Sequence, residues 1–190
     1  VILCSGQSNM DFSVAPWGGG GCLDANETVA AAAAGEYDDI RLMHGFGAPL
    51  WFNSSYNTGQ SVGKFSAVCF LAAVQMKKII PGYKHHPIGL IQASVGGTII
   101  EEWMSPAMIE VCESASDSVS HANASAQPDY GERNSDDYFK MIAPLTPASL
   151  SAVFWYQAEN NVRQNFQPAN ASWQFQDYYA CLFRAKIQAW

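Results

Sequence analysis

The chain has 190 residues, 48% of them hydrophobic and 14% charged, enough to bury a core, and it reads as one globular domain. Its net charge of −7 comes with only ten Lys and Arg, scattered singly or in pairs, so there is no basic stripe for a phosphate backbone and nucleic acid is excluded as a partner. The longest apolar run, Phe65 to Ile80, is interrupted by Gln75, Lys77 and Lys78 and falls short of the roughly 20 residues that span a bilayer.

Taken in chain order, the elements alternate. Val1 to Cys4 is a short apolar run ending in Ser-Gly, which predicts a buried parallel strand feeding a turn. A loop with Gly18 to Gly21 follows. Asp24 with Glu27 three residues on has capping-box spacing, and the Ala30 to Ala34 run stopped by Gly35 completes a short helix. Ile40 to Met43 is the second strand. From Phe65, the apolar positions Val68, Cys69, Ala72, Met76, Ile79 and Ile80 recur at helical spacing until Pro81-Gly82, which predicts a core-facing helix. Pro87 to Gln92 is a third strand, Ala152 to Tyr156 a fourth, and Trp173 to Trp190 a closing amphipathic helix. This order implies an α/β fold, a parallel sheet with helices on both faces. The stretch Glu113 to Asp137, rich in Ser, Ala, Asn and Asp, has no apolar period and reads as a long surface loop.

The chain opens on Val1 rather than Met and begins directly in a strand, so a start codon and any signal peptide are expected upstream. Four Asn-x-Ser/Thr sequons, at Asn26, Asn53, Asn123 and Asn170, exceed the one or so that composition gives by chance, which favours a glycosylated, secreted or lysosomal product. Five cysteines, Cys4, Cys22, Cys69, Cys112 and Cys181, match no zinc or redox spacing. Cys4 and Cys69 sit in apolar runs and are expected as buried thiols. No His/Cys/carboxylate cluster has ligand spacing, so neither a metal nor an organic cofactor is called for.

In an open parallel sheet, chemistry gathers at the carboxyl ends of the strands. Three strands here end in polar segments that converge there: Ser5-Gly6-Gln7-Ser8-Asn9-Met10, Ala93-Ser94-Val95-Gly96-Gly97-Thr98 and Gln157-Ala158-Glu159-Asn160-Asn161. A Ser on a tight turn needs donors for the oxyanion that forms at an attacked carbonyl, and backbone N–H groups freed by glycines, with an Asn or Gln amide, supply them. The second glycine of the Gly-x-Ser-x-Gly elbow is absent.

The run Gly6-Gln7-Ser8-Asn9-Met10 resembles the opening motif of the sialate O-acetylesterase family of SGNH hydrolases. Further matches follow in family order: Asp39-Ile40-Arg41-Leu42, Phe65 to Cys69, Gly89 to Gln92, Gly96-Gly97-Thr98 with Ile100-Glu101 and Trp103, Met141 to Leu145, and Trp155 to Asn160. The resemblance spans essentially the whole chain and implies a flavodoxin-like, three-layer SGNH fold. It implies Ser8 as nucleophile, with the oxyanion held by the Ser8 amide, a glycine amide at Gly96 or Gly97, and the Gln157 side chain, Asn160 being the second choice. Gln7, Asn9, Met10 and Thr98 border the site. Glu159 is expected to fix its loop by hydrogen bonds, and Glu101 and Trp103 to wall and pack the site.

Two departures stand out. The family usually has Gln-Gly-Glu where this chain has Ala158, which crowds the loop if that position needs positive φ. The family's general base and its acidic partner come from an Asp-x-x-His after a further strand, and no such segment occurs here, so the chain is expected to be the front of a longer domain and a poor esterase alone. His85, His86 and His121 are expected in solvent. His44 follows the second strand without an Asp three residues before it. The implied function is hydrolysis of O-acetyl esters on carbohydrates, sialic acids first and xylan-type polysaccharides second. A catalytically silent glycan-binding relative is the reading from a different class.

Overall fold

The computed structural model describes residues 1–15, 21–45, 50–117, 135–146, 148–163 and 175–190. They fall into two compact units, Val1–Gly97 with Pro147–Tyr156, and Thr98–Thr146 with Gln157–Trp190.

The first unit is built on a five-stranded sheet: β1 (Ile2–Gly6), β2 (Ile40–His44), β3 (Phe52–Asn53), β4 (Ile88–Ser94) and β5 (Ala152–Tyr156), ordered β3-β2-β4-β1-β5. All four predicted strands are present and mutually parallel where they pair. The addition is β3, two residues antiparallel to β2 at the sheet edge, too short for any period in the sequence to reveal. β1 lies between β4 and β5 and is buried along its whole length, which is why its sequence is an uninterrupted apolar run rather than an alternation.

One face of this sheet presents Ile2 and Cys4, Ile40 and Leu42, Ile88 and Leu90 to a core completed by helix α4 (Ala67–Ile79). Ser66 caps α4 by accepting from the Cys69 amide at 3.2 Å, and Lys77 and Lys78 stand in its last turn, where cations suit the carbonyl end. The buried face is Ala67, Cys69, Phe70, Ala73 and Val74. The expected stripe is therefore corrected: Val68, Ile79 and Ile80 are exposed, because the start of this helix is apolar all round and Phe70 is the side chain the sheet takes. Lys77 pairs with Asp39 and donates to the carbonyls of Tyr83 (3.0 Å) and His86 (2.7 Å), closing the turn Pro81–Tyr83 against the amino end of the sheet.

Helix α1 (Ser8–Asp11) follows β1, and α3 (Gln60–Gly63) precedes α4. Helix α2 (Ala25–Ala33) forms as predicted, with Gly35 at φ +84° just past it. Its capping box does not form, since Asp24 sits in the left-handed region at φ 60° and its side chain makes no cap bond. A second correction concerns the cysteines. Cys4 and Cys69 are joined in a disulfide with Cα atoms 6.0 Å apart, linking β1 to α4. Burial and oxidation are compatible here because both residues point into the same core.

The second unit is helical: a tight turn Ile100–Trp103, α5 (Pro106–Asp117), a π-helical turn Tyr138–Ile142 running into Ala143–Leu145, α6 (Glu159–Arg163) and α7 (Phe175–Ala189). The Cys112–Cys181 disulfide joins α5 to α7. Helix α5 runs to Asp117, so the first residues of the expected loop are helical, and Asp137 leads into the π-helical turn. Residues 118–134 of that loop lie outside the described residues. Ile100, Trp103, Met104, Met141 and Leu182 are buried.

Candidate active site

Gly6, Ser94 and Tyr156 are register partners across β4, β1 and β5, so these strands end level and their following segments leave from one edge. At Gly6 the chain turns with φ +143°, and a Cβ there would overlap the Tyr156 carbonyl. The Gln7 amide donates to that same carbonyl at 3.0 Å. Glycine is thus the one residue that lets the strand break sharply into α1 at this point.

Ser8 is the first residue of α1 and is exposed, whereas Gln7 and Met10 on either side are buried. The turn closes with the Met10 and Asp11 amides donating to the Gln7 carbonyl and the Phe12 amide to that of Ser8. The Ser8 amide stands ahead of this ladder at the amino end of the turn. Val95 donates to the Gly6 carbonyl at 3.1 Å, and a Cβ on Gly96 would lie 3.8 Å from the Ser8 Cβ, so Gly96 lies beside the Ser8 side chain. Gly97 adopts φ +81° with open space around it. Ser8, Gln7, Asn9, Met10, Gly96 and Gly97 all belong to the first unit, and of these six Ser8, Gly96 and Gly97 are exposed.

The remaining residues named from the sequence belong to the second unit, where Thr98, Glu101, Trp103 and Gln157 take part in a hydrogen-bond network. The Ile100 amide donates to Asn161 Oδ1 at 2.9 Å, which fixes the orientation of that carboxamide. Asn161 Nδ2 then donates to Glu101 Oε2 at 2.9 Å, and Asn161 Oδ1 accepts from Gln157 Nε2 at 2.7 Å. Gln157 gives its other hydrogen to the Thr98 carbonyl at 2.9 Å and accepts from the Tyr179 hydroxyl at 2.9 Å. Trp103 Nε1 donates to Thr98 Oγ1 at 2.9 Å. Glu101 and Trp103 are buried. Glu159 and Asn160 open α6 half-buried. Asn161 and Tyr179 received no role in the sequence reading. Asn161 stood beside the motif residues, but nothing along the chain pairs it with Ile100 sixty-one positions away.

Ala158 has φ +137°, the left-handed half of backbone space that a side chain resists. His85 and His86 are exposed as expected, and His121 lies outside the described residues. His44 ends β2 half-buried, its ring edge-on to Phe65 at 5.3 Å. Burial pushes its pKa down, against an upward pull from Asp11. Among the described residues, no three His, Cys, Asp or Glu side chains gather as metal ligands.

Residues 1–182 match the carbohydrate esterase family described as sialic acid-specific acetylesterase. The chain belongs to that family. It is 30% identical over 207 residues to human sialate O-acetylesterase and 29% identical over 205 residues to that of Pongo abelii. In both cases all of this chain is covered, and it spans 35% of the relative's length. Among solved structures, a carbohydrate acetylesterase from Xanthomonas citri superposes with a TM-score of 0.63 at 23% identity, over 96% of this chain and 37% of that one. The family's fold is the SGNH hydrolase kind expected from the motifs: mixed α/β, with a central sheet of mostly parallel strands flanked by helices.

Proposed function

We propose that this protein is a serine esterase that removes O-acetyl groups from carbohydrates, with Ser8 as its nucleophile and sialic acids as its first substrate class. One observation carries the reading: in a member of a carbohydrate esterase family, Ser8 is exposed at the start of a one-turn helix, beside a glycine loop that is also exposed. Ser8 Oγ attacks the acetyl carbonyl while a general base takes its proton. The carbonyl oxygen becomes an oxyanion, for which the Ser8 and Gly96 or Gly97 amides are the donors. Collapse expels the sugar hydroxyl, leaving acetyl on Ser8, and water then releases acetate. The family resemblance gives Gln157 a donor role as well. Both its hydrogens are already given to Thr98 and Asn161, so the proposal rests on the backbone amides alone.

The choice of sialic acid is supported by the names of the human and orangutan relatives. The test is turnover of an aryl acetate, a 9-O-acetylated sialic acid and an acetylated xylan by the full-length gene product and its Ser8→Ala variant. Loss of at least about a thousandfold in kcat on substitution is expected, because a covalent nucleophile has no substitute. Retained turnover in Ser8→Ala overturns the assignment. Preference for xylan reassigns the substrate, and glycan binding without turnover assigns the silent relative, a reading that the strained Ala158 favours.

A secretory route belongs to the same proposal. It is supported by two disulfides, which persist in oxidising compartments, and by the exposure of Asn26 and Asn53 in their sequons. Asn123 and Asn170 lie outside the described residues.

A further inference from the structure

Helix α1 is a single turn of four residues, too short to hold its own conformation, so something must fix the direction of Ser8. From below, Met10 is buried at 1% exposure, with its sulfur 3.4 Å from Ser66 Oγ. The lateral hold is polar. Gln92, buried in β4, accepts the Ser66 amide on Oε1 at 2.7 Å. That partner is a backbone N–H and can only donate, so the carboxamide must turn its nitrogen the other way. Gln92 Nε2 then gives its hydrogens to Asp11 Oδ1 at 3.2 Å and Ser94 Oγ at 2.9 Å. Ser94 Oγ, having accepted from Gln92, donates to the same Asp11 oxygen at 3.0 Å. Both Gln92 hydrogens and the Ser94 hydroxyl hydrogen are thus placed, and the donors Gln92 and Ser94 are buried, while Asp11 is exposed.

Asp11 stands three residues after Ser8, one turn along on the same side of the helix. Ser94 is the last residue of β4, directly before Val95 and Gly96. The carboxylate therefore joins the helix bearing the nucleophile to the strand that leads into the glycine loop beside it.

We propose that Asp11, with Ser94 and Gln92, is a positioning clamp that sets the Ser8 hydroxyl against the Gly96–Gly97 amides. The inference rests on the esterase reading and adds a residue to it. Asp11 does not touch substrate. It acts by holding two segments in register, and misplacing a reacting group by about 1 Å costs up to about a hundredfold in rate.

The experiment uses the full-length gene product and its Asp11→Ala, Asp11→Asn and Ser94→Ala variants, with aryl-acetate kinetics and amide hydrogen exchange. Asp11→Ala is expected to lower kcat about 10- to 100-fold with KM within about twofold, and to speed exchange at Val95–Gly97 as well as Ser8–Phe12. Asp11→Asn keeps an accepting oxygen and should recover activity to within about threefold of the parent. Ser94→Ala, which removes the bonds to Gln92 and Asp11 but leaves the Gln92–Asp11 bond and the Met10 anchor, should show the same pattern more weakly and answers the question if Asp11→Ala fails to fold. Adding Ser94→Ala to Asp11→Ala should cost no more than about a further twofold, because both act through one network. Unchanged exchange at Val95–Gly97 in Asp11→Ala and Ser94→Ala overturns the clamp, as does a kcat within about twofold of the parent in both. Exchange judges the clamp whether or not turnover is seen, while Ser8→Ala in the same assay judges the esterase reading separately.

Discussion

Ala158 is the residue whose position costs the chain most visibly. At φ +137° it occupies a region where a Cβ is strained, a cost on the order of 1–3 kcal/mol. Glycine at this point removes the strain but widens the unfolded ensemble, which takes back about 0.4–1 kcal/mol. Ala158→Gly is therefore expected to stabilise the protein by about 1 kcal/mol and raise Tm in a thermal melt; a lower Tm would mean that the Ala158 methyl makes packing worth more than the strain. The departure was legible in the sequence as an alanine in a glycine position, although its φ was not. Gln157 is the converse case. Its residue type invited a donor role, and only its neighbours Thr98, Asn161 and Tyr179 reveal that its amide is already engaged.

At the scale of elements, what reads well is what depends on near neighbours along the chain. β5 appears over the residues expected, and α4 begins after Ser66 because a serine hydroxyl there meets the Cys69 amide. The face that α4 buries did not read well, since Ala67 to Val74 offers apolar side chains in every direction and the choice of Phe70 is made by the sheet beneath it. The Cys4–Cys69 bridge belongs to the same class, joining residues 65 positions apart. It closes a long loop in the unfolded chain, so replacing both cysteines by alanine is expected to cost about 2–5 kcal/mol, measured as a lower midpoint in denaturant. Because β1 leads directly into the Ser8 turn, that variant should also lose activity at temperatures where the parent retains it. Equal midpoints would show that the bridge is not formed in the protein.

For the molecule as a whole, the excess of sequons gains meaning from where two of them fall. Asn26 lies in the first turn of α2 and Asn53 on the edge strand β3, and both are exposed. An edge strand offers unpaired backbone groups to other chains, and a bulky sugar attached there would screen them. Expressed in a secretory eukaryotic host, the protein should lose mass on glycosidase treatment, and Asn26→Gln with Asn53→Gln should remove a corresponding share. Identical masses before and after treatment would argue against the secretory route. Among the described residues, no helix is long and apolar enough to cross a membrane.

The sequence by itself determined the four parallel strands, their alternation with helices, and the sharp turn that places Ser8 after β1. These depend on residue spacing and on a glycine that no side chain can replace beside the Tyr156 carbonyl. Tertiary structure alone decided which cysteines pair, which side of α4 is buried, and what holds the short helix that begins at Ser8. The reason is distance along the chain. Asp11 meets Gln92 across 81 positions and Ser94 across 83, and a hydrogen bond between residues so far apart leaves no period or spacing in the sequence from which to read it.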